Sequence, residues 1–488
     1  MLGFLRSLAC PFRTPVSAET KYRLRAAWER LPAHLRTPNQ FLGRQYAGCG
    51  ATIGAMPRCD FACRGCYLGS DANHTPAESV EGVKKQLHRL RAWLGEGGNV
   101  QLTDGEVTLR TATELIDLIR YARAVGVVPM LMTHGDTFRR DPALLQRLVV
   151  EGGLTEMSIH IDTTQRGRRG QDYKYATREE ELFPLRDEFA ALIRRMRRET
   201  GRPLEVATTF TVTRQNLEEV PLVLRWLCRH ADAFKMISFQ PTAQVGRTED
   251  GLGGTVTVEE LWRRIAAGLF DDPTEAERLL QHQGWLGHPA CSRFVQGLVV
   301  RHPNRRPAFY PLLRPDDTRD QDILHRWFTH FGGLTTRLDG KWQAVVRVAG
   351  LFKAQPGFLL FQVLPFLWRW PRRIAPRHPW RFVWSWVRGR TSVHYLNIVS
   401  HHFMSKAEIE TPLGQERLDL CVFRVPIGEK LVSMCEVNAL GIRDHYYETL
   451  RRPRTAAARR TTLRTESGLQ SGSPGYLPHP SSPPPGEW

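Results

Sequence analysis

Three cysteines, Cys59, Cys63 and Cys66, stand in the stretch CDFACRGCYLG at a spacing of C-x3-C-x2-C. A closed zinc site takes four ligands, and catalytic zinc seldom rests on three thiolates alone. Iron–sulfur cubanes take thiolates from closely spaced loops. Three thiolates on a four-iron cluster leave one iron open, able to bind a small molecule and pass it an electron. A cluster, a zinc ion and unused thiols are the readings of the bare spacing. Further on, Gly105 and Glu106 close a strand-like run, NVQLTDGEVTL. Ser158, His160 and Asp162 alternate along MSIHID, and a period of two sets all three on one strand face. Thr211 and Thr213 repeat the pattern, with Asn216 just after, and Gln240 stands near the end of SFQP. Polar groups on one face of a parallel strand suit a barrel lumen, as site contacts or as a satisfied polar core.

The elements that must position these groups lie between about residues 50 and 250. ATIGAMPR reads as a first strand ahead of the cysteine loop, with a helix beginning near TPAESVEGVKKQL. ATELIDLIRYARAVG has helical periodicity and a glycine stop at Gly126. Strand-like VVPMLMTHG, LTEMSIHID, LEVATTFTVTRQN and AFKMISFQP then alternate with helical DPALLQRLVVEGG, ELFPLRDEFAALIRRMRRETG and LEEVPLVLRWLCRHA. Repeated β-α units imply an α/β fold with a parallel sheet, open or rolled towards a barrel, and a site where strands end and loops begin.

The cysteine loop resembles that of the radical S-adenosylmethionine enzymes, in the branch of the molybdopterin-pathway cyclase and the peptide-modifying enzymes. LTDGEVTL is similar to that family's Gly-Gly-Glu-Pro motif through Gly105 and Glu106, with Asp104 in place of the first glycine and Val107 in place of the proline. MLMTHG, TFTVTRQN and SFQPTAQVGR resemble its third, fifth and sixth strands. The residue before the third cysteine is often aromatic in the family; here it is Gly65, and Tyr67 just after supplies a ring. The resemblance covers about residues 51–247. It implies a partial (β/α)6 TIM-like barrel and a 4Fe-4S cluster on Cys59, Cys63 and Cys66. It implies S-adenosylmethionine (SAM) at the open iron, with Gly105 and Glu106 meeting its amino group. Tyr67, Ser158, His160, Asp162, Thr211, Asn216 and Gln240 are the further candidates for cofactor contact. One-electron cleavage of SAM would give a 5′-deoxyadenosyl radical that abstracts hydrogen from a substrate. The electron would come from a donor such as flavodoxin or ferredoxin. A non-enzymatic iron–sulfur redox sensor is the reading from a different class, and the Gly105-Glu106 turn counts against it.

Outside this core, Cys291, Cys421 and Cys435 are candidates for a second iron–sulfur cluster, with Cys49 a weaker fourth member; ordinary buried cysteine is the other reading. Cys421 and Cys435 flank a hairpin expected through PIGEK. His401 and His402 are catalytic candidates, as proton donors, radical-path groups or ligands. Being adjacent, they point two ways, so at most one should face the site. Cys10 and Cys228 read as structural.

The chain has 488 residues, a net charge of +18 and nine cysteines. So few cysteines exclude a secreted disulfide scaffold and imply a reducing, cytoplasmic setting. The opening MLGFLRSLACPFRTP, broken by Arg6, reads as a helical or frayed start rather than a targeting signal. The charge favours anionic partners, and no recognisable RNA module accompanies it, which disfavours nucleic acid. Divisions follow composition. They comprise an N-terminal extension (1–50), the core (51–250), a helical and mixed region (251–350), an aromatic and arginine-rich segment (351–390), a Cys/His module (391–450) and a tail (451–488), disordered from about Thr455. In segment 351–390 the longest uncharged run, Ala354 to Trp368, is 15 residues and contains two prolines, short of the ~20 needed to span a bilayer. Trp368, Trp370, Trp380, Trp384 and Trp386 would lie at headgroup level, and Arg369, Arg372, Arg373 and Arg377 would meet anionic lipid. A helical hairpin packed on the barrel is the other reading. A peripheral position on the inner face of a membrane would favour a lipid substrate; peptide modification, with an auxiliary cluster, is the alternative.

Overall fold

Strands and helices alternate from Cys49 to Pro241. The computed structural model describes residues 16–452, apart from 169–170, 249–251, 253 and 315. The readings of Cys10, of the opening segment and of the tail from Thr455 fall outside the described residues. Strands β1 (Cys49–Ala51), β2 (Gly98–Leu102), β3 (Val127–Thr133), β4 (Glu156–His160), β5 (Glu205–Val212) and β6 (Phe234–Pro241) run parallel in chain order. The sheet curls into a partial TIM-like barrel. Local signals set the intervening helices. Thr111 and Glu114 form a reciprocal cap on the helix Ala112–Val125, which stops at Gly126. Ser79 caps the helix Val80–Leu94, so it starts a few residues later than TPAES suggests. Each helix presents one apolar stripe to the sheet. Leu87 and Leu90, Leu115 and Ile119, and Phe189 and Ile193 are buried against Val100, Leu131 and Ile159 in one continuous core.

Beyond Pro241 the chain returns to both edges of this sheet. β7 (Gly284–Trp285), β8 (Ser292–Arg301) and β9 (Ala308–Pro311) form an antiparallel group. β10 (Ser392–His401) joins that group to the barrel, antiparallel to β8 and parallel to β6. β11 (Phe423–Ile427) runs parallel to β1 at the opposite edge and turns back as β12 (Lys430–Ser433), the hairpin expected through PIGEK. Residues 391–450 therefore bracket the barrel, supplying a parallel neighbour to its first strand and another to its last.

Candidate functional site

The cysteine loop follows β1, Gly105 and Glu106 follow β2, and His134 follows β3. Thr211 lies near the end of β5, Gln240 near the end of β6, and His401 ends β10. The carboxyl ends of the parallel strands thus bring these residues to one cavity of about 250 Å³. Cys59, Cys63, Cys66, Tyr67, Gly105, Glu106, Ser158, His160, Thr211, Gln240 and His401 all line it. A larger cavity, of about 720 Å³, lies between the helices Ala18–Glu29 and Thr318–Phe331 and is lined by none of the cysteines.

Backbone contacts hold the cysteine loop. Cys59 N–H donates to Asn73 (2.9 Å), Ala62 N–H to the Arg166 carbonyl (2.8 Å) and Arg64 N–H to the Thr164 carbonyl (2.8 Å). Arg247 binds the loop twice, through its N–H to the Cys66 carbonyl (2.8 Å) and through its guanidinium to the Cys66 thiol (3.4 Å). Gly65 has φ +68°, and a Cβ there would stand 2.9 Å from Thr242, so glycine replaces the family's aromatic residue where the chain takes a left-handed turn. The ring expected of Tyr67 is on the cavity wall, held by a hydroxyl bond to the Asp104 carbonyl and by the Arg443 guanidinium 4.7 Å from its centroid.

Glycine is equally constrained at the facing turn. A Cβ on Gly105 would lie 2.3 Å from the Arg58 carbonyl oxygen. The turn packs directly on the chain entering the cysteine loop, with Gly105 N–H donating to Met56 (2.7 Å) and Glu106 N–H to Arg58 (2.8 Å). Glu106 is 1% exposed. Its Oε1 accepts from Thr108 N–H (3.1 Å), Thr108 Oγ1 (2.6 Å) and Thr133 Oγ1 (2.7 Å), and its Oε2 from His134 N–H (2.8 Å). The His134 ring nitrogen Nε2 also stands 3.3 Å from Oε2. Asp104, in the family's glycine position, is on the cavity wall, in a buried ion pair with Arg443, and also accepts from Gly54 N–H.

Along β4 and β5, the Ser158 hydroxyl meets Thr209 at 3.0 Å, and His160 Nε2 meets Thr211 Oγ1 at 3.0 Å. Asp162 is behind them rather than in the cavity. Its carboxylate takes His160 Nε2 (2.5 Å), Thr211 N–H (2.6 Å) and both donors of Thr164. Burial favours the neutral acid, but His160 and these hydrogen bonds outweigh it and hold the carboxyl down at about 2. Asn216 also faces away: its amide caps the turn at Thr213 and donates to Glu179 and to the Thr211 carbonyl. Alternation ends with the strand at His160, which is why Asp162 leaves the face that period two assigns to it.

Of the histidine pair, His401 lines the cavity and His402 does not. Burial pushes His401 down to about 4, so its ring is neutral near pH 7. The backbone N–H of His402 donates to the Cys291 carbonyl (2.8 Å). Cys291, Cys421 and Cys435 are not on the cavity wall, and among the described residues their three thiols do not gather within 4.8 Å of one another. The Cys291 thiol accepts from Arg417 Nε (3.1 Å), Cys421 donates to the Phe423 carbonyl (3.2 Å), and Cys435 accepts from Met404 N–H (3.4 Å). Burial, followed by the neighbouring Cys421, pushes the Cys435 thiol up to about 12. Cys49 lines the main cavity instead, and Cys228 is buried on its helix, in keeping with a structural part.

The donor set suits a cluster better than a single zinc ion. Among the described residues, the metal-ligating groups that gather within 4.8 Å are Cys59, Asp60 and His134, not the three thiols. Ligands on one tetrahedral zinc, at Zn–S about 2.3 Å, would stand closer than that. Asp60 and His134 are already paired at 2.8 Å, with the His134 ring stacked on Phe61 at 3.8 Å. Burial above all pushes Cys59 up to about 12 and Cys63 well above its usual range. Ionised thiolates here therefore require a positive partner, which a metal cluster provides and Arg247 supplements. His134, Arg247 and the Asp104–Arg443 pair were not among the sequence candidates. His134 is next to last in MLMTHG and Arg247 ends SFQPTAQVGR, so each had a position in a stretch that resembles the family but no spacing signal.

No protein-family model matches the chain. Over 230 residues it is 24% identical to the 7,8-dihydro-6-hydroxymethylpterin dimethyltransferase of Methanocaldococcus jannaschii, a match covering 46% of this chain and 43% of that protein. The chain thus spans less than half the length of this curated relative. Among solved structures, native anSMEcpe with bound AdoMet and Cp18Cys peptide aligns with a TM-score of 0.34 at 15% identity, over 46% of this chain and 58% of that one. Native anSMEcpe with bound AdoMet gives a TM-score of 0.34 at 15% identity, over 46% and 59%. The three-cysteine loop packed on a Gly-Glu turn at the mouth of a partial barrel keeps the resemblance to the radical S-adenosylmethionine enzymes, and the partial match to the pterin dimethyltransferase supports it.

Proposed function

We propose that this chain is a SAM-cleaving radical enzyme whose cavity holds a 4Fe-4S cluster on Cys59, Cys63 and Cys66 and acts on an apolar substrate, a lipid chain. The observation that carries the reading is that the three thiols and the Gly105-Glu106 turn line the same cavity. When bound, the cluster and SAM supply a one-electron cleavage that yields a hydrogen-abstracting carbon radical. The protein's share is placement and exclusion. Arg247 offsets charge at Cys66, and the Glu106 carboxylate offers its negative charge to the ammonium of SAM. Ser158, His160, Thr211 and Gln240 offer polar groups to the rest of the cofactor, and a flavodoxin or ferredoxin supplies the electron. Leu286, Phe403, Val422, Phe423 and Met434 form an apolar part of the wall beside His401, and this supports a hydrocarbon substrate.

A peptide-modifying enzyme with a second cluster is the other reading, favoured by Cys421 and Cys291 lying near enough to Cys435 to push its thiol up. Anaerobic reconstitution distinguishes the two. About four irons per chain fit one cluster and about eight fit two. In either case the reduced protein should release 5′-deoxyadenosine from SAM, and replacing Cys59, Cys63 and Cys66 together by Ala should abolish that release. Undiminished 5′-deoxyadenosine from the triple variant would overturn the assignment. Iron binding without any SAM cleavage would leave a redox sensor.

A further inference from the structure

We propose that the helices between Lys341 and Val387 form a surface that docks on an anionic lipid bilayer. Of three consecutive helical stretches, Lys341–Ala354, Pro356–Ile374 and Pro379–Val387, the first two pack on β8, β9 and the helix Thr318–Phe331 through Leu351, Phe358, Leu359, Phe366 and Trp370, and the third packs on the second and buries Phe382. Their opposite faces are apolar too, and these face solvent. On the first, Trp342, Val345, Val348 and Phe352 fall at helical spacing, and Trp342 is 82% exposed. The second shows Leu360, Phe361, Leu364 and Leu367, with Phe361 at 79%. The third shows Trp380, Trp384 and Val387, with Trp380 at 66%. Trp368 and Trp380 meet at 4.3 Å and join the second stripe to the third. A helix with a filled core face needs no second apolar stripe for its own stability, and exposed apolar surface of this extent marks an interaction site.

Charge selects the occupant. Between Lys341 and Thr391 the sequence holds ten basic residues and no acidic one. Arg369 and Arg373 are spoken for: both bind Asp320, at 2.6 and 2.7 Å, and fasten the second helix to its neighbour. Together with the buried Trp370, they are internal contacts rather than the headgroup contacts their positions suggest in the sequence. Arg372, Arg377, Arg381, Arg388 and Arg390 are exposed. Among the described residues none of these five is in an ion pair; Arg372 and Arg388 instead lie over Trp368 and Trp384. Tryptophan beside arginine, around an apolar centre, matches the headgroup–acyl boundary of an anionic bilayer. A symmetric dimer through this face would set arginine against arginine. No single helix among the described residues is long and apolar enough to cross a membrane, and the pair Trp342–Ala354 and Pro356–Ile374 bends by 94°. Leu351, Phe358, Leu359, Phe366 and Trp370 bury the inner faces of that pair against the protein, which leaves the outer stripes for a membrane surface.

This surface stands whether or not the cavity holds a cluster. It is tested by co-sedimenting the full chain with vesicles of phosphatidylglycerol and phosphatidylcholine, and with phosphatidylcholine alone. Binding should require the anionic lipid and should fall as salt rises from about 0.1 to about 1 M, where the screening length shortens from about 10 to about 3 Å. Each arginine at such a surface contributes about fivefold. Changing Arg372, Arg377, Arg381 and Arg388 to Gln should therefore lower partitioning several hundredfold, with the far-ultraviolet circular dichroism unchanged. Phe361→Ser with Trp380→Ser should weaken binding while keeping its salt dependence. Wild type remaining in the supernatant, or an arginine variant that sediments equally well, would overturn the proposal. A dimer in sedimentation velocity that Phe361→Glu dissociates would do the same, by assigning the face to a second copy.

Discussion

Glu106 is held by four hydrogen bonds from Thr108, Thr133 and His134 before any cofactor arrives. Such a carboxylate is preorganised: its orientation is fixed where it lines the cavity. Glu106→Gln removes the charge that would meet an ammonium and turns one acceptor oxygen into a donor facing other donors. A charge-assisted bond contributes about 1.5–3 kcal/mol, or roughly 10- to 150-fold in affinity. Calorimetric titration of the cluster-loaded variant with SAM should show that loss at unchanged iron content, and an unchanged Kd would remove Glu106 from the cofactor site. That the cysteines and the Gly-Glu turn meet at one cavity was legible in the sequence, because close thiol spacing and a tight backbone approach leave little freedom in residue type or spacing. Asp162 and Asn216 were misplaced by the same logic. Period two holds only while a strand lasts, and both residues sit beyond a strand end, where their side chains serve turns and a neighbouring histidine.

At the scale of elements, the helix Ile442–Arg451 carries Arg443 back to the Gly105-Glu106 turn, pairing it with Asp104 across 339 positions of sequence. Both side chains are buried. Burial pushes the Asp104 carboxyl up, and the Arg443 guanidinium opposes that push. Where the family's pattern has a flexible glycine, this chain has an ion pair that ties the turn to the carboxy-terminal helix. Breaking one side of a buried pair costs about 3–5 kcal/mol, because the other charge is left without a partner. Arg443→Met should lower the thermal midpoint accordingly, and Asp104→Asn in the same chain should recover part of the loss, since Asn still accepts from Gly54. Additive losses in that double-mutant cycle would mean that the two side chains do not act as a unit. Helices and strands from residue 98 to 241 were readable from periodicity and caps because those forces are local. The Asp104–Arg443 contact was not, since nothing near either residue specifies the other.

For the whole molecule, the same distinction governs how the barrel ends. A parallel sheet cut at β1 and β6 would expose two unpaired edges and the apolar part of the cavity wall. Here β11 pairs with β1, and β10 pairs with β6 through four registered positions, Asn397 to Ser400. Buried Trp262 donates to Ser400 (2.9 Å), fastening the β10 edge to the helix that follows the barrel. Composition divides the chain at about residue 250, but edge pairing does not. The core should therefore fail to fold without the return strands. A fragment of residues 16–248 should lack a cooperative thermal transition and should bind a hydrophobic dye such as ANS. A longer fragment, 16–452, should melt cooperatively, because it retains both bracketing strands and the Arg443 helix. A cooperative transition in the short fragment, with native-like hydrogen-exchange protection in β1 and β6, would show that the barrel closes its edges without the carboxy-terminal arm.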